Sequence, residues 1–208
     1  MTSAERIHAV CEAARYIEKN RIPGAIVECG VWRGGSMMAV AKTLLLIKHT
    51  ERELFLFDTF DGMSIPDEND ISLAGEKASE LVRQHKKSEA DLFWCYAPLE
   101  AVKQAVLSTG YPKERVHFVK GRVEETLPQE APEQIALLRL DTDWYESTRH
   151  ELDTLYPRLV RGGVLILDDY GHWQGARKAV DDYIEKHKLR LFLSRTDYTG
   201  RVAIKVFD

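Results

Sequence analysis

Apolar stretches of strand length alternate with helical patterns along the chain of 208 residues. The apolar stretches are 25–29, 54–57, 116–119, 135–140, 164–167, 191–194 and 202–206. Helical periodicity covers 4–20, 36–48, 98–107, 146–156 and 175–188, with a weaker pattern at 76–87. This alternation predicts an α/β fold, a mostly parallel seven-stranded sheet with helices on both faces. Only the turn 196–200 separates the last two strands, so they should form a C-terminal antiparallel hairpin.

Length and charge restrict the classes of protein that this chain can be. A chain of this length suits a single domain, 1–208, with one substantial core. The net charge of -4, with acids and bases interspersed, predicts no nucleic-acid partner. The three cysteines are too few for a disulfide framework or a zinc site. No signal peptide or bilayer-length apolar run is visible, so we expect a cytoplasmic protein with no membrane partner.

Acidic residues follow two neighbouring apolar stretches directly. Asp141 ends one predicted strand, and Asp168 and Asp169 end the next, 27 residues later, a separation that suits one helical crossover between parallel strands. A single aspartate there is more often a helix cap, but two clusters at adjacent strand ends favour a metal site. Oxygen-only ligands select a hard ion, Mg²⁺ most simply. Asp143 either supports this site or caps the following helix.

A glycine-rich turn follows the first predicted strand. Gly30 allows a tight turn, and Gly34 and Gly35 let the backbone approach a ligand closely. The G-x-x-x-G-G spacing matches neither the dinucleotide fingerprint nor a P-loop. Asp58 ends the second strand, where an acid can accept hydrogen bonds from ribose hydroxyls, although a cap or turn role is equally consistent. Together the two motifs favour a nucleoside-containing cofactor, and Glu28 either binds a cationic amino group or is a solvated strand end.

The polar segment 61–75, DGMSIPDENDISLAG, is the one long insertion. Loops of that length in compact domains are usually lids or disordered. We therefore treat it as a candidate lid.

Four motifs in order carry a specific resemblance: VECGVWRGGS, LFDTFDGM, LLRLDTDWYEST and LILDDYGHWQGARKAVDDY. Over residues 25–183 the chain resembles the macrocin-type, TylF/MycF-like O-methyltransferases, which methylate sugar hydroxyls on macrolides and aminocoumarins. The resemblance implies a Rossmann-like sheet, S-adenosylmethionine as cofactor and Mg²⁺. A homo-oligomer would be consistent with the family and with the amphipathic first helix.

The resemblance and the motifs together define two sets of site residues. The expected cofactor-binding residues are Glu28, Gly30, Gly34, Ser36, Asp58, Gly121 and Arg122. Asp58 would hold the ribose, and Gly121 and Arg122 would neighbour the adenine. The expected metal ligands are Asp141, Asp168 and Asp169.

These residues predict a chemistry for hydroxyl methylation. A cation lowers the pKa of a hydroxyl that it contacts, and can fix two neighbouring hydroxyls together. Asp141 is the expected general base, and His172 is the alternative because an unperturbed imidazole titrates near neutrality. His172 could equally be a loop residue packed on Trp173.

The expected function is metal-assisted methyl transfer from S-adenosylmethionine to a hydroxyl of a sugar or similar vicinal diol, on a small molecule or glycan. One alternative is a haloacid-dehalogenase-like phosphatase, since D-T-D at Asp141 matches its signature superficially. Trp144 and Tyr145 stand where that signature needs a glycine and a hydroxyl residue. The other alternative, a non-catalytic cofactor-binding domain, would have no physical need for mutually repelling acids.

Overall fold

Seven strands form one sheet in the computed structural model, which describes residues 2–88 and 90–206. The strands are β1 (Ala25–Cys29), β2 (Leu54–Asp58), β3 (Val116–Lys120), β4 (Ile135–Leu140), β5 (Leu159–Leu167), β6 (Ser194–Arg195) and β7 (Arg201–Ile204). Their spatial order is β3-β2-β1-β4-β5-β7-β6. Strands β1 to β5 pair in parallel, whereas β7 pairs antiparallel with both β5 and β6. The predicted mostly parallel sheet with a C-terminal hairpin is confirmed.

Helices cover both faces of the sheet, as the alternating pattern predicted. They are α1 (Ala4–Lys19), α2 (Gly35–Leu46), α3 (Ala78–Gln84), α4 (Leu99–Leu107), α5 (Val123–Thr126), α6 (Tyr145–Leu155) and α7 (Gln174–His187). Successive strand residues point to opposite faces. Ile26 accordingly packs with α1, α2 and α4, whereas its neighbour Val27 packs with α6 and α7. No helix in 2–88 or 90–206 combines the length and apolarity needed to cross a bilayer.

The sixth strand is where the sequence prediction was wrong. The apolar run 191–194 was expected to form it, but the strand is Ser194–Arg195. Leu191 and Leu193 are half-buried and pack against the core from a non-helical, non-strand segment. An apolar pattern in the sequence indicates which side chains are buried. A buried segment need not form the backbone hydrogen bonds of a β-sheet.

The sheet order gathers the predicted site residues at one edge. Strand β1 lies between β2 and β4, and β5 lies beyond β4. Cys29, the last residue of β1, is in register with Phe57 of β2 and with Leu140 of β4. The chain therefore leaves these parallel strands side by side, and the glycine turn, Asp58 and the two acidic clusters follow them.

The candidate lid 61–75 is attached to the starts of α6 and α7. Asp70 is buried, and its carboxylate accepts hydrogen bonds from the backbone N–H groups of Tyr145 (2.8 Å) and Asp67 (2.7 Å). Ser72 forms an antiparallel bridge with Trp173. These contacts hold the segment beside the carboxyl edge of the sheet.

Candidate active site

A cavity of about 510 Å³ opens at the carboxyl edge of the sheet. Most of the site residues predicted from the sequence line this cavity: Gly30, Ser36, Asp58, Gly121, Arg122, Asp141, Asp168, Asp169 and His172. Glu28 and Gly34 are not part of the lining. Residues from both ends of the sequence thus surround one space that is large enough for a cofactor-sized ligand.

The glycine turn owes its shape to two glycines with positive φ, between which Trp32 also has a positive φ of 46°. Gly30 has φ +81°, and a Cβ there would overlap the carbonyl oxygen of Asp141. Gly34, with φ +79°, precedes α2, and a Cβ there would lie 2.7 Å from Cγ2 of Val106. Gly34 therefore permits packing between α2 and α4, whereas Gly30 brings the turn against the acidic loop after β4. No side chain caps the N-terminus of α2, beside which Gly35 and Ser36 line the cavity.

The carboxylate of Asp58 fastens this turn to β2. Oδ2 accepts hydrogen bonds from the backbone N–H groups of Val31 (2.7 Å) and Trp32 (2.9 Å). Oδ1 accepts from the N–H of Phe60 (2.6 Å) and, at 3.4 Å, from the hydroxyl of Thr59. Burial raises the pKa of Asp58, while these amide hydrogen bonds act in the opposite direction. A ribose hydroxyl bound here would compete with the weakest of them, the one from Thr59.

Glu28 lies behind the cavity wall rather than in it. It is 1% exposed, and its Oε1 accepts a hydrogen bond of 2.6 Å from Nη1 of Arg139. Burial raises the pKa of Glu28 to about 7, with Arg139 opposing that rise. The geometry makes Glu28 a partner of Arg139, and its expected contact with the cofactor remains a prediction.

Arg139 is a site residue that the sequence interpretation missed. It is 4% exposed in β4, lines the cavity, and places Nη2 2.8 Å from Oδ2 of Asp141 and 2.8 Å from Oδ1 of Asp168. The available signal was an arginine inside the apolar run IALLRL, because a buried arginine requires acidic partners.

The three predicted metal ligands converge. Asp141, Asp168 and Asp169 each place one carboxylate oxygen within 4.8 Å of the others. Burial raises the pKa of Asp141 and of Asp169 well above the ordinary range, partly offset by Arg139. This donor set of three carboxylates fits a hard divalent cation such as Mg²⁺.

Asp143 supports the cluster from the side. Its backbone N–H donates to Oδ2 of Asp169 (3.1 Å), and its Oδ1 accepts from Nε1 of Trp173 (2.7 Å). Burial raises the pKa of Asp143 to about 7. Asp143 thus connects the loop after β4 to the residue that precedes α7.

Arg6, in the first turn of α1, is a second arginine that the sequence did not reveal. It lines the cavity, its guanidinium pairs with Oδ2 of Asp168, and its Nε lies 3.1 Å from Oδ2 of Asp197. Arg6 and Asp168 are 162 residues apart in the chain, so no local pattern could have joined them.

His172 lines the cavity, and it also packs against Trp173. The two rings meet edge to face with centroids 4.8 Å apart, and Nδ1 is hydrogen-bonded to the hydroxyl of Tyr198. Burial lowers the pKa of His172, so the imidazole is neutral near pH 7.

Apolar side chains form part of the cavity wall, and no local sequence pattern assigned them to it. They are Val31, Trp32, Phe57, Met63, Leu92, Phe93, Val123, Trp173 and Tyr198. An acidic floor and a partly apolar wall suit an amphiphilic ligand.

Comparisons of the sequence and of the structure with known proteins place the chain in one family. The family described as Macrocin-O-methyltransferase (TylF) matches residues 1–204. The chain is 33% identical over 200 residues to 8-demethyl-8-(2,3-dimethoxy-alpha-L-rhamnosyl)-tetracenomycin-C 4'-O-methyltransferase of Streptomyces olivaceus, covering 96% of this chain and 73% of that protein. It is 30% identical over 200 residues to demethyldecarbamoylnovobiocin O-methyltransferase of Streptomyces niveus, with the same two coverages. The solved O-methyltransferase NovP superposes with a TM-score of 0.85 at 27% identity, over 98% of this chain and 80% of that one. The chain therefore belongs to the macrocin O-methyltransferase (TylF) family.

Proposed function

We propose that this methyltransferase transfers the methyl group of S-adenosylmethionine to a hydroxyl of a sugar or similar vicinal diol, assisted by a divalent cation. One observation carries the proposal: a single cavity joins the glycine turn to the acid cluster, with Gly30 against the backbone of Asp141. Methyl transfer needs donor and acceptor within a few ångströms of each other, and such positioning supplies much of the rate.

The cofactor end of the cavity is built from main-chain groups. The uncapped first turn of α2 suits the carboxylate of a methionine moiety, because helix N-termini stabilise anions. Gly121 and Arg122 line the cavity beyond β3 and suit the adenine side. Asp58 lies between these regions in the sheet order and supports the ribose assignment, provided that a hydroxyl replaces the long contact from Thr59.

The acceptor end is built from acids. Asp141, Asp168 and Asp169 would hold the cation, whose chemistry is to lower the pKa of a bound hydroxyl and to fix a neighbouring one. Asp141 is the proposed general base, since as a ligand to the cation it would lie next to the hydroxyl that the cation binds. His172, neutral near pH 7, is the alternative base.

Relatives indicate the class of acceptor. The Streptomyces olivaceus relative is named for methylating a compound with a rhamnosyl group, and the Streptomyces niveus relative for methylating demethyldecarbamoylnovobiocin. We therefore propose a glycoside acceptor, sugar toward the acids and the remainder toward the apolar wall. The phosphatase and the non-catalytic alternatives have no support from this family membership.

The experiment is methyl transfer from radiolabelled S-adenosylmethionine to a panel of small-molecule glycosides and glycans, with and without chelator. We expect chelator to reduce transfer by roughly 100-fold or more, since a Lewis acid supplies several kcal/mol to the transition state. Calorimetry should show that chelator leaves binding of S-adenosylhomocysteine within about threefold, because the cation would contact the acceptor oxygens. Added Mg²⁺ should restore transfer.

Asp169→Asn should reproduce the effect of chelator, and Asp153→Asn, on the exposed side of α6, is the matched control. Full transfer in excess chelator would overturn the metal assignment and leave a metal-independent methyltransferase. Failure to bind either S-adenosylmethionine or its demethylated product would overturn the function itself.

A further inference from the structure

Two guanidinium groups enclose the carboxylate of Asp168. Arg6 pairs with Oδ2, and Nη2 of Arg139 lies 2.8 Å from Oδ1. Asp168 is 2% exposed, so these partners take the place of solvent around it. Both of its oxygens therefore face a positive charge before any metal binds.

The two arginines reach Asp168 from different parts of the fold. Arg139 belongs to β4 and also pairs with Glu28 and Asp141, so it is fixed within the sheet. Arg6 belongs to the first turn of α1 and is shared between Asp168 and Asp197, which lies in the turn between β6 and β7.

The N-terminus of α1 is anchored where Arg6 needs it. The hydroxyl of Ser3, the N-cap of α1, accepts from the N–H of Arg6 (3.2 Å) and donates to Oδ2 of Asp197 (2.8 Å). Asp197 thus fixes both the cap of α1 and the guanidinium, and the hairpin turn determines the position of Arg6.

A divalent cation on the acid cluster would meet this guanidinium. Each carboxylate oxygen has two acceptor positions, so Asp168 can contact both cations, but like charges a few ångströms apart in a poorly solvated site repel strongly. We propose that Arg6 is a positioning residue that neutralises Asp168 in the metal-free enzyme and limits the affinity of the acid cluster for a divalent cation. The proposal rests on the metal-assisted function proposed above.

The direction of the effect separates this role from a structural one. If Arg6 only held α1 in place, its loss would loosen Asp168 and weaken metal binding. If Arg6 competes with the cation, its loss must strengthen metal binding, although the metal-free protein loses an ion pair.

The test is the affinity for Mn²⁺, an oxygen-seeking stand-in for Mg²⁺, measured by electron paramagnetic resonance of the free ion. We expect Arg6→Gln to lower the Kd by at least about tenfold, since a unit charge next to a divalent ion is removed. Arg6→Lys keeps the charge and should stay within about threefold of wild type. Arg15→Gln, which removes an exposed arginine of the same helix, is the control and should also stay within that range.

Equal or weaker Mn²⁺ binding by folded Arg6→Gln protein would overturn the proposal. The proposal would also be overturned if millimolar Mn²⁺ bound to neither the wild type nor Arg6→Gln. Methyl transfer by the same two proteins in chelator would then show that the methyltransferase function stands without the metal. If Arg6→Gln does not fold, the crystal structure of the wild type soaked in Mn²⁺ tests the proposal instead. An ion on Asp168 with Arg6 moved off Oδ2 supports the proposal, and an ion bound with that contact intact overturns it.

Discussion

Arg139→Met removes a side chain that pairs with three buried or partly buried acids. Arg139 lies 2.6 Å from Glu28, 2.8 Å from Asp141 and 2.8 Å from Asp168, and its side chain is 5% exposed. Breaking a buried ion pair by removing one partner costs about 3–5 kcal/mol, because the remaining charge is left uncompensated. The acids can take up protons, so the three losses do not add. We expect the free energy of unfolding to fall by about 3–5 kcal/mol at pH 8, a large share of the roughly 5–15 kcal/mol that stabilises a domain.

The loss should depend on pH in a defined direction. In the wild type, burial raises the pKa of Glu28 from 4.5 to about 7. An acid whose pKa is higher in the folded state makes its contribution to stability below its unfolded pKa, and that contribution is lost as pH rises through the folded pKa. Without Arg139, the pKa of Glu28 rises further, so the loss extends to higher pH. Between pH 6 and 8 the variant should therefore lose about 1 kcal/mol more than the wild type.

Urea denaturation in chelator, followed by tryptophan fluorescence at pH 6, 7 and 8, measures both quantities. Arg149→Met is the control, because Arg149 is an exposed arginine on α6 whose pair with Glu146 contributes about 0–1 kcal/mol. Adding Glu28→Gln to Arg139→Met should recover part of the stability and reduce the pH dependence. A loss below about 1 kcal/mol at pH 8, or identical pH profiles for variant and wild type, would refute the ion-pair argument.

Three further predictions concern single polar side chains. Asp141→Asn should lower the turnover of methyl transfer by roughly 100-fold or more, whereas His172→Gln should lower it by less than about tenfold. Calorimetry should show that both variants bind S-adenosylhomocysteine with unchanged affinity. If His172→Gln had the larger effect on turnover, His172 would be the base. Asp58→Ala should weaken S-adenosylhomocysteine binding by about 1.5–3 kcal/mol, and an unchanged Kd would confine Asp58 to fastening the glycine turn. Asp70→Ala should destabilise the protein by about 1–3 kcal/mol at neutral pH in urea denaturation, since the N–H of Tyr145 loses its acceptor. Burial raises the pKa of Asp70 from 3.8 to about 6, so the contribution of this group to wild-type stability should fall as pH rises from 4 through 6. A variant whose stability has the same pH dependence as the wild type would contradict that assignment.

Local sequence patterns were sufficient for the sheet, except for β6, and for the acids at its edge. Contiguous apolar residues identify a buried strand, and the residue after it must lie at the end of that strand. Because β4 and β5 are parallel neighbours, Asp141 and Asp168 could be predicted to lie together. The four-residue helix α5 was not predicted, because it is too short to show helical periodicity.

The sequence interpretation identified neither of the two arginines that balance the acids, and for Arg6 no local signal existed. Arg6 reaches Asp168 only because α1 folds against the hairpin at the other end of the chain. The hydrogen bonds of Asp58 were hidden for a similar reason, since a carboxylate at a strand end looks the same whether it faces a ribose or the amides of a neighbouring turn. Side chains that meet only through tertiary contacts leave no periodic pattern in the sequence.

The tight contact between Gly30 and the carbonyl oxygen of Asp141 has a consequence for how this enzyme can diversify. The N–H of Asp141 donates to the carbonyl of Cys29 (2.9 Å), so a main-chain hydrogen bond joins the two loops next to this contact. In the proposed arrangement, this main-chain contact sets the distance between the two loops, and the Asp58 carboxylate, which fastens the glycine turn, helps to preserve it. Changes in the apolar wall can then alter which acceptor is methylated without altering the transfer distance, whereas any side chain at position 30 would change that distance for every acceptor alike.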